Sequence, residues 1–281
     1  VPMGENLGLS GVARTLLVPL CARAQAARLF PAAGFSDTPA ERIVGELGID
    51  ASSVVSDPMS ILGFITRAKI FDAHVARFLS AHPDGIVLDL GAGLSTACER
   101  HPVDPARWFS VDLPAVTALR ARVSPEAPRC SLVSAALDEA GWLDSAALPA
   151  APTLVIAEGL MPYLPAEAIG TLLRVLADGL AGREVELVYD TFSYLMVGTA
   201  RYHPSIGPLA RDDPSIEFVS GVKTRSDYCW GEPRWKLDEI CDVMEQLPPP
   251  VAVWSAVVEG VFGVPIYAIA RLHLDATAAR R

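Results

Sequence analysis

Apolar positions recur at helical spacing through the first third of the chain and then give way to short, unbroken apolar runs. Thr15 to Arg28 is rich in Ala and Leu and predicts a helix with Pro19 at its start or at a kink. Ile43, Val44 and Leu47 repeat at the same spacing, and a loop is expected over Ser52 to Pro58. Met59 to Leu79 predicts a long amphipathic helix with Ile61, Ile65, Ala68, Phe71, Val75 and Phe78 on one face. His82-Pro-Asp-Gly85 ends it. The apolar runs that follow are Ile86 to Leu90, Trp108 to Asp112, Cys130 to Ser134, Thr153 to Ala157 and Glu184 to Asp190. Helical patterns fit between them, notably Leu113 to Val123 and Pro165 to Leu180. Strands without an exposed face, separated by helical crossovers, predict a doubly wound, mostly parallel α/β sheet.

Beyond the fifth run the pattern is less regular. Ser193 to Arg234 is a polar, aromatic insertion. Trp235 to Leu247 predicts a helix ended by Pro248, Pro249 and Pro250. Val251 to Ala270 is Val- and Ile-rich and broken by Glu259, Gly260, Gly263 and Pro265, so paired strands are expected there, the last ending in Ile266 to Leu272. The expected organisation is a helical cap with its lead-in helix over 1–82, then an α/β domain over 83–281 that carries the insertion, as a lid, at 193–234.

Charge and composition narrow the partners. The 281 residues carry a formal net charge of −10, which disfavours nucleic acid because such a surface repels phosphate backbones. The five cysteines, Cys21, Cys98, Cys130, Cys229 and Cys241, are scattered and contain no Cys-x-x-Cys pair. They point to no disulfide framework and no metal site, and fit packing roles in a reducing cytoplasm. The Val1-Pro-Met-Gly4 start has neither a basic region nor an apolar signal core, and no stretch reads as a membrane span.

The segment with chemistry in it is Asp89-Leu-Gly91-Ala-Gly93-Leu-Ser95. It lies where the first strand ends and a helix begins, the place at which open α/β sheets bind ligands. Asp112 ends the second strand 19 positions after Gly93. A carboxylate there can accept both ribose hydroxyls of a nucleoside, cap the following helix, or do both. The third glycine of a dinucleotide fingerprint is missing, since Ser95-Thr96 follows Gly93. Asp89, two residues before the first glycine, suits a ligand with an ammonium and a sulfonium better than a pyrophosphate. The expected cofactor is S-adenosylmethionine, not NAD.

The chain resembles the leucine carboxyl methyltransferase family and, within it, the polyketide O-methyltransferases of the tetracenomycin type. The resemblance rests on Ser10 to Leu17, Arg23-Ala, Arg67 to Asp72, Leu88 to Gly93, Ser110 to Val116, Ala136 to Trp142 and Ala157 to Leu164, in family order over 8–192. It implies a Rossmann-like class I methyltransferase. It also implies that Arg67 grips the donor's carboxylate. Gly91 and Gly93 line its methionine part, Asp112 holds the ribose, Leu113 underlies the adenine, and Glu158 and Gly159 receive the ammonium. The alternative for Arg67 is an ion pair with Asp72 or another acid. Where the family usually has Asp-Leu at the third strand, this chain has Ala136-Leu137, so Leu137 keeps an adenine contact while Ser134, Asp138 or a backbone carbonyl takes the amino group.

The acceptor side is less legible. Tyr163 matches a family tyrosine at the cleft, and His203 is the one candidate general base. Phe192, Tyr194, Tyr202, Tyr228, Trp230 and Trp235 are candidates to floor a pocket for a flat, aromatic or polyketide-like acid, or to pack a lid. Arg201, Lys223 and Arg225 are candidate partners for an acceptor carboxylate. The reading is an O-methyltransferase acting on a small-molecule carboxylate or phenol. Its alternatives are methylation of a protein's C-terminal carboxylate, and a donor-binding protein that has lost methyl transfer and serves a cyclisation.

Overall fold

In the computed structural model, residues 7–101, 104, 107–123, 130–139 and 141–275 are described; the Val1-Pro-Met-Gly4 start and Ala140 of the Ala136 to Trp142 motif lie outside them. Five helices precede the sheet: α1 (Leu17–Ala24), α2 (Ala26–Leu29), α3 (Thr38–Glu46), α4 (Ala51–Val54) and α5 (Pro58–Ala81). Pro19 falls inside the first turn of α1, where its missing N–H leaves no helical bond unmade. Asp57 caps α5 by accepting the Ser60 N–H at 2.7 Å, and Pro58 occupies its first position.

The sheet then alternates with helices: β1 (Ile86–Leu90), α6 (Ala97–Arg100), β2 (Trp108–Asp112), α7 (Pro114–Val123), β3 (Ser131–Ser134), α8 (Trp142–Ser145), β4 (Thr153–Ala157), α9 (Ala166–Gly179) and β5 (Val185–Phe192). The strand order is β3-β2-β1-β4-β5, all parallel, continued by β7 (Tyr267–Leu274) antiparallel to β5 and by β6 (Trp235–Asp242) at the edge. The order reverses between β1 and β4, so their carboxyl ends open a crevice. Alternate residues face opposite layers, as a strand's two-residue period requires. Leu88, Val155 and Leu187 pack with Leu173 and Leu176 of α9, whereas Val87, Leu154 and Val188 pack with Phe71, Val75 and Phe78 of α5.

Two expectations fail after residue 234. Trp235 to Leu247 is not a helix: its first eight residues are the edge strand β6. A register shift between Leu237 and Glu239 marks a bulge. The extra residue turns an alternating pattern into Trp235, Leu237, Ile240 and Asp242, whose uneven spacing imitates a helix. Val251 to Phe262 is not a strand but helix α11 (Val251–Phe262), so only the second expected late strand, β7, forms there. Gly263, at φ 78°, caps it through an N–H bond to the Glu259 carbonyl, a stop signal that the Val-rich composition obscured. The insertion contains α10 (Gly207–Asp212) and several short 3₁₀ turns. Among the described residues no helix is long and apolar enough to cross a membrane.

Asp37 fastens the N-terminal helices to the sheet. Its side chain is 0% exposed and accepts from Arg23 Nε at 2.9 Å, Arg100 Nη1 at 2.9 Å and Thr96 Oγ1 at 2.5 Å. It also caps α3 through the Ala40 N–H. Burial alone would raise its pKa; the two guanidinium groups and the hydrogen bonds outweigh that and hold it below the usual carboxylate range. Asp37→Ala leaves the buried Arg23 without a carboxylate, takes one of two from Arg100, which keeps Asp72, and should cost about 3–5 kcal/mol. Urea unfolding at pH 7 should show this loss. The difference from wild type should shrink as pH falls through the ordinary aspartate range, where the wild-type carboxylate also loses its charge in unfolded and then folded protein.

Candidate donor and acceptor site

A cavity of about 760 Å³ opens over the carboxyl ends of β1, β2 and β4. Its lining includes Arg67, Asp89, Gly91, Gly93, Asp112, Leu113, Leu137, Glu158, Gly159 and Tyr163, so the expected donor-binding residues and the expected cleft tyrosine are brought together. The loop after β1 curls because Gly91 and Gly93 sit at φ 61° and 51°, in the left-handed region. A Cβ on Gly91 would come to 3.0 Å from Cδ1 of Leu160, its neighbour in the cavity lining.

Asp112 fills both roles foreseen for it. Oδ2 accepts the Gly93 N–H at 2.7 Å and Oδ1 accepts the Leu113 N–H at 2.7 Å. Each carboxylate oxygen can accept a further bond, and the side chain lines the cavity, so the capping acid remains competent to take a pair of hydroxyls. Leu113 beside it is 46% exposed, an apolar surface offered to a ligand. Burial raises the Asp112 pKa, and the two backbone N–H groups oppose that rise.

Arg67 does not pair with Asp72, but it is ion-paired with two other acids, Glu158 and Asp190. Asp72 is held by Arg100 at 2.8 Å and by His101 at 3.1 Å. Arg67, itself buried, donates from Nε to Glu158 at 2.9 Å and from Nη1 to Asp190 and to the Tyr267 hydroxyl, each at 3.2 Å. Those bonds aim the guanidinium and leave Nη2, at the edge of the fork, for a ligand carboxylate. Asp190 and Tyr267 escaped the sequence reading. Asp190 is 1% exposed, accepts the Gly159 N–H at 2.6 Å and the Tyr267 hydroxyl at 2.5 Å, and so fixes the turn after β4 from β5. A strand-end acid following an apolar run was its only signal.

Asp89 is 2% exposed and lines the cavity, and its Oδ2 has no hydrogen-bond donor. Burial pushes its pKa up to about 8; Arg120 opposes the rise and Glu158 adds to it. A buried carboxylate lacking a donor is costly unless a ligand supplies one. Asp89, Asp112, Glu158 and Asp190 together outnumber the guanidinium groups of Arg67 and Arg120, a balance that suits a ligand bearing ammonium and sulfonium charge. The residues present therefore fit S-adenosylmethionine. At the third strand, Ala136, Leu137 and Asp138 line the cavity, whereas the Ser134 hydroxyl is tied to Thr117 at 2.6 Å. Of the two side chains named as substitutes for the missing aspartate, Asp138 is the one in the lining.

The acceptor-side residues are distributed differently from expectation. His203 is not part of the cavity lining. Its Nδ1 accepts the N–H groups of Ser205 and Ile206, both at 3.2 Å, and burial lowers its pKa to about 4. A neutral imidazole that accepts at Nδ1 carries its proton on Nε2, so no lone pair remains to take another. None of the six aromatic candidates lines the cavity. Phe192 packs on Phe218 and Tyr267, Trp230 donates to the Tyr189 hydroxyl, and Trp235 donates to the Leu173 carbonyl. Tyr228 is buried in the same core. Arg201 lies over its neighbour Tyr202 and Lys223 over Tyr194; neither they nor Arg225 reach the lining. The aromatic rings in the lining are Phe64 and Tyr163, with Val12, Leu16 and Ile206 around them.

Asp112→Ala should weaken S-adenosylhomocysteine binding by about 2–3 kcal/mol, roughly 30- to 150-fold. Calorimetry alongside a thermal melt checks it. An unchanged dissociation constant in a folded variant would leave Asp112 as a helix cap alone.

Comparison with known proteins places this geometry. The leucine carboxyl methyltransferase family matches residues 17–177. The tetracenomycin polyketide synthesis O-methyltransferase of Streptomyces glaucescens is 39% identical over 165 residues, which are 58% of this chain and 60% of that protein. This chain thus spans less than two thirds of that relative. A Parafrankia protein named as an S-adenosyl-L-methionine-dependent methyltransferase is 32% identical over 262 residues, 84% of this chain and 81% of that one. The solved structure of a DUF574 family protein from Streptomyces avermitilis shares the fold, with a TM-score of 0.50 at 18% identity, over 89% of this chain and 96% of that one. The cofactor is S-adenosylmethionine, the fold is the Rossmann-like methyltransferase fold, and the chain belongs to the leucine carboxyl methyltransferase family.

Proposed function

We propose that the chain is an S-adenosylmethionine-dependent O-methyltransferase acting on a carboxylate or phenol of a polyketide-like natural product. The observation that carries the proposal is a single cavity with a mixed lining. The glycine loop, Asp112 and the Arg67 cluster are joined there by Val12, Leu16, Phe64, Ile206 and Tyr163, with the Phe64 ring 5.2 Å from the Arg67 guanidinium. The polar groups suit the donor, and the apolar side chains beside them suit a flat, largely apolar acceptor. The name of the Streptomyces glaucescens relative supports oxygen as the acceptor atom and a polyketide as the acceptor class.

S-adenosylmethionine supplies a methyl group on a sulfonium, so transfer is an in-line displacement and needs alignment more than acid–base chemistry. Arg67, Asp112 and Glu158 would fix the two ends of the donor relative to the glycine loop. Tyr163 would set the acceptor. Its ring meets Phe218 at a centroid separation of 5.6 Å, and burial raises its hydroxyl pKa, so it stays protonated and can orient an oxygen without competing for the methyl. Among the described residues no histidine lines the cavity. A carboxylate, ionised at neutral pH, reacts there without a base, and a phenol would have to arrive with its proton already weakened.

Labelled donor incubated with a panel of aromatic polyketide acids and phenols tests the assignment. Methyl esters or aryl ethers are expected as products. Tight S-adenosylhomocysteine binding with no transfer to any acceptor would favour the non-methylating reading. With a turned-over acceptor in hand, His203→Ala should keep most of the maximal rate. Tyr163→Phe should lose more, and the rate should be flat between about pH 6 and 8. A rate that follows a histidine-like pKa and falls about 10²–10⁴-fold in His203→Ala would demand base-assisted phenol methylation.

A further inference from the structure

Behind the glycine loop, on the side away from the cavity, lies Arg120 of α7. It is 7% exposed and is not part of the cavity lining. Nη1 donates to the Gly93 carbonyl at 3.1 Å. The N–H of the same residue is held by Asp112. Gly93 is therefore gripped at both its amide and its carbonyl, one grip from the ligand side and one from behind. Nη2 points to two buried thiols, Cys98 Sγ at 3.4 Å and Cys130 Sγ at 3.7 Å. Sulfur is a weak acceptor, so most of this cation's compensation must come from the charges nearby. Those are the Cys130 and Cys98 sulfurs themselves and then Asp89 at the end of β1, and Asp112 at the end of β2 feels the same cation.

We propose that Arg120 is a positioning residue of the donor site: it clamps the Gly93 peptide from behind and supplies the positive charge that balances Asp89 and Asp112. A buried guanidinium in a helix is expensive unless it is paired. Here its hydrogen-bonded oxygen is a loop carbonyl, and its electrostatic partners are Cys130 and Cys98 behind the loop together with Asp89, which faces the donor. Arg120 touches no ligand itself and acts through the loop.

The consequence is a pH dependence of donor binding. The groups that face Asp89 are Arg120 from α7, Glu158 from the turn after β4, Asp112 from β2 and Cys130 from the start of β3. Cys98 of α6 joins through its hydrogen bond with Cys130, which lowers the Cys130 thiol and raises that of Cys98. Only Arg120 among these favours the ionised form of Asp89. Removing it raises the Asp89 pKa further above about 8 and leaves more of the site protonated at neutral pH, where an ammonium is bound less well.

The test is calorimetric titration of S-adenosylhomocysteine into wild type, Arg120→Gln and Arg120→Lys between about pH 6.5 and 9.5. No acceptor is needed, so the outcome is independent of the acceptor proposed above. The ligand's own amine titrates alike in all three, so the ratio of dissociation constants isolates the protein. For Arg120→Gln that ratio should be about tenfold at pH 7, one pKa unit, and should shrink severalfold by pH 9.5. Arg120→Lys keeps the charge and loses the fork, so its ratio should be smaller and nearly constant with pH. A ratio for Arg120→Gln that is the same at every pH would mean a merely structural role and would overturn the proposal. If Arg120→Gln does not fold, Arg120→Lys decides: a ratio that varies severalfold across the range despite the retained charge would overturn it equally.

Discussion

Carboxyl groups gathered at one edge of the sheet are the constraint around which the rest of this protein is arranged. Asp89, Asp112, Glu158 and Asp190 come from β1, β2, the turn after β4 and β5; Asp89 feels Asp112 and Glu158, and Asp190 feels Glu158, in low-dielectric surroundings. Carboxylates cannot be gathered in this way without compensation. Arg67 reaches three groups from α5, and Arg120 stands behind the glycine loop. Asp112 spends hydrogen bonds on Gly93 and Leu113, Asp190 on Gly159, and Asp89 is left with an oxygen that no donor meets. A ligand bearing positive charge completes the arrangement, and it supplies a reason for these acids to be there at all.

The fold serves that arrangement at each level. Parallel strands buried on both faces put all their carboxyl ends on one edge, and the reversal of order between β1 and β4 opens the crevice there. The N-terminal helices do more than cover a face. Arg23 of α1 bonds both Asp37 and the Leu94 carbonyl, so the cap is bolted to the loop that follows Gly93. Val12 and Leu16 from the same region add apolar lining to the cavity beside the glycine loop. The N-terminal helices and the donor loop are thereby held by one network, which matters for a displacement that depends on alignment.

The sheet and the long helix were legible because continuous apolar runs and a 3.6-residue stripe have few other physical readings. Gly91, Gly93 and Asp112 were legible because a strand, a tight turn and an acid at a fixed distance leave their chemistry in one short stretch. Arg67 and Glu158 came only through family resemblance, since 91 residues separate them. Asp190, Tyr267 and Arg120 were invisible for the same reason: each acts on a partner brought near by the sheet, and Arg120 in a helix reads as an ordinary surface residue. The bulge in β6 misled by changing the apparent period, and α11 misled because its Val-rich turns carry strand propensity. The aromatic residues in and beside the insertion read as a pocket floor or as packing, and they mostly pack into the core or lie over other side chains.

The donor completes a carboxyl cluster that is short of positive partners. That completion is tested most directly by measuring proton exchange when S-adenosylhomocysteine binds at pH 7, in buffers of different ionisation enthalpy. Asp89 starts largely protonated below its pKa of about 8 and must ionise to meet the ligand's ammonium, so binding should release protons, and Asp89→Asn should abolish the release. Binding by wild type and Asp89→Asn with equal affinity and no proton exchange would contradict the account.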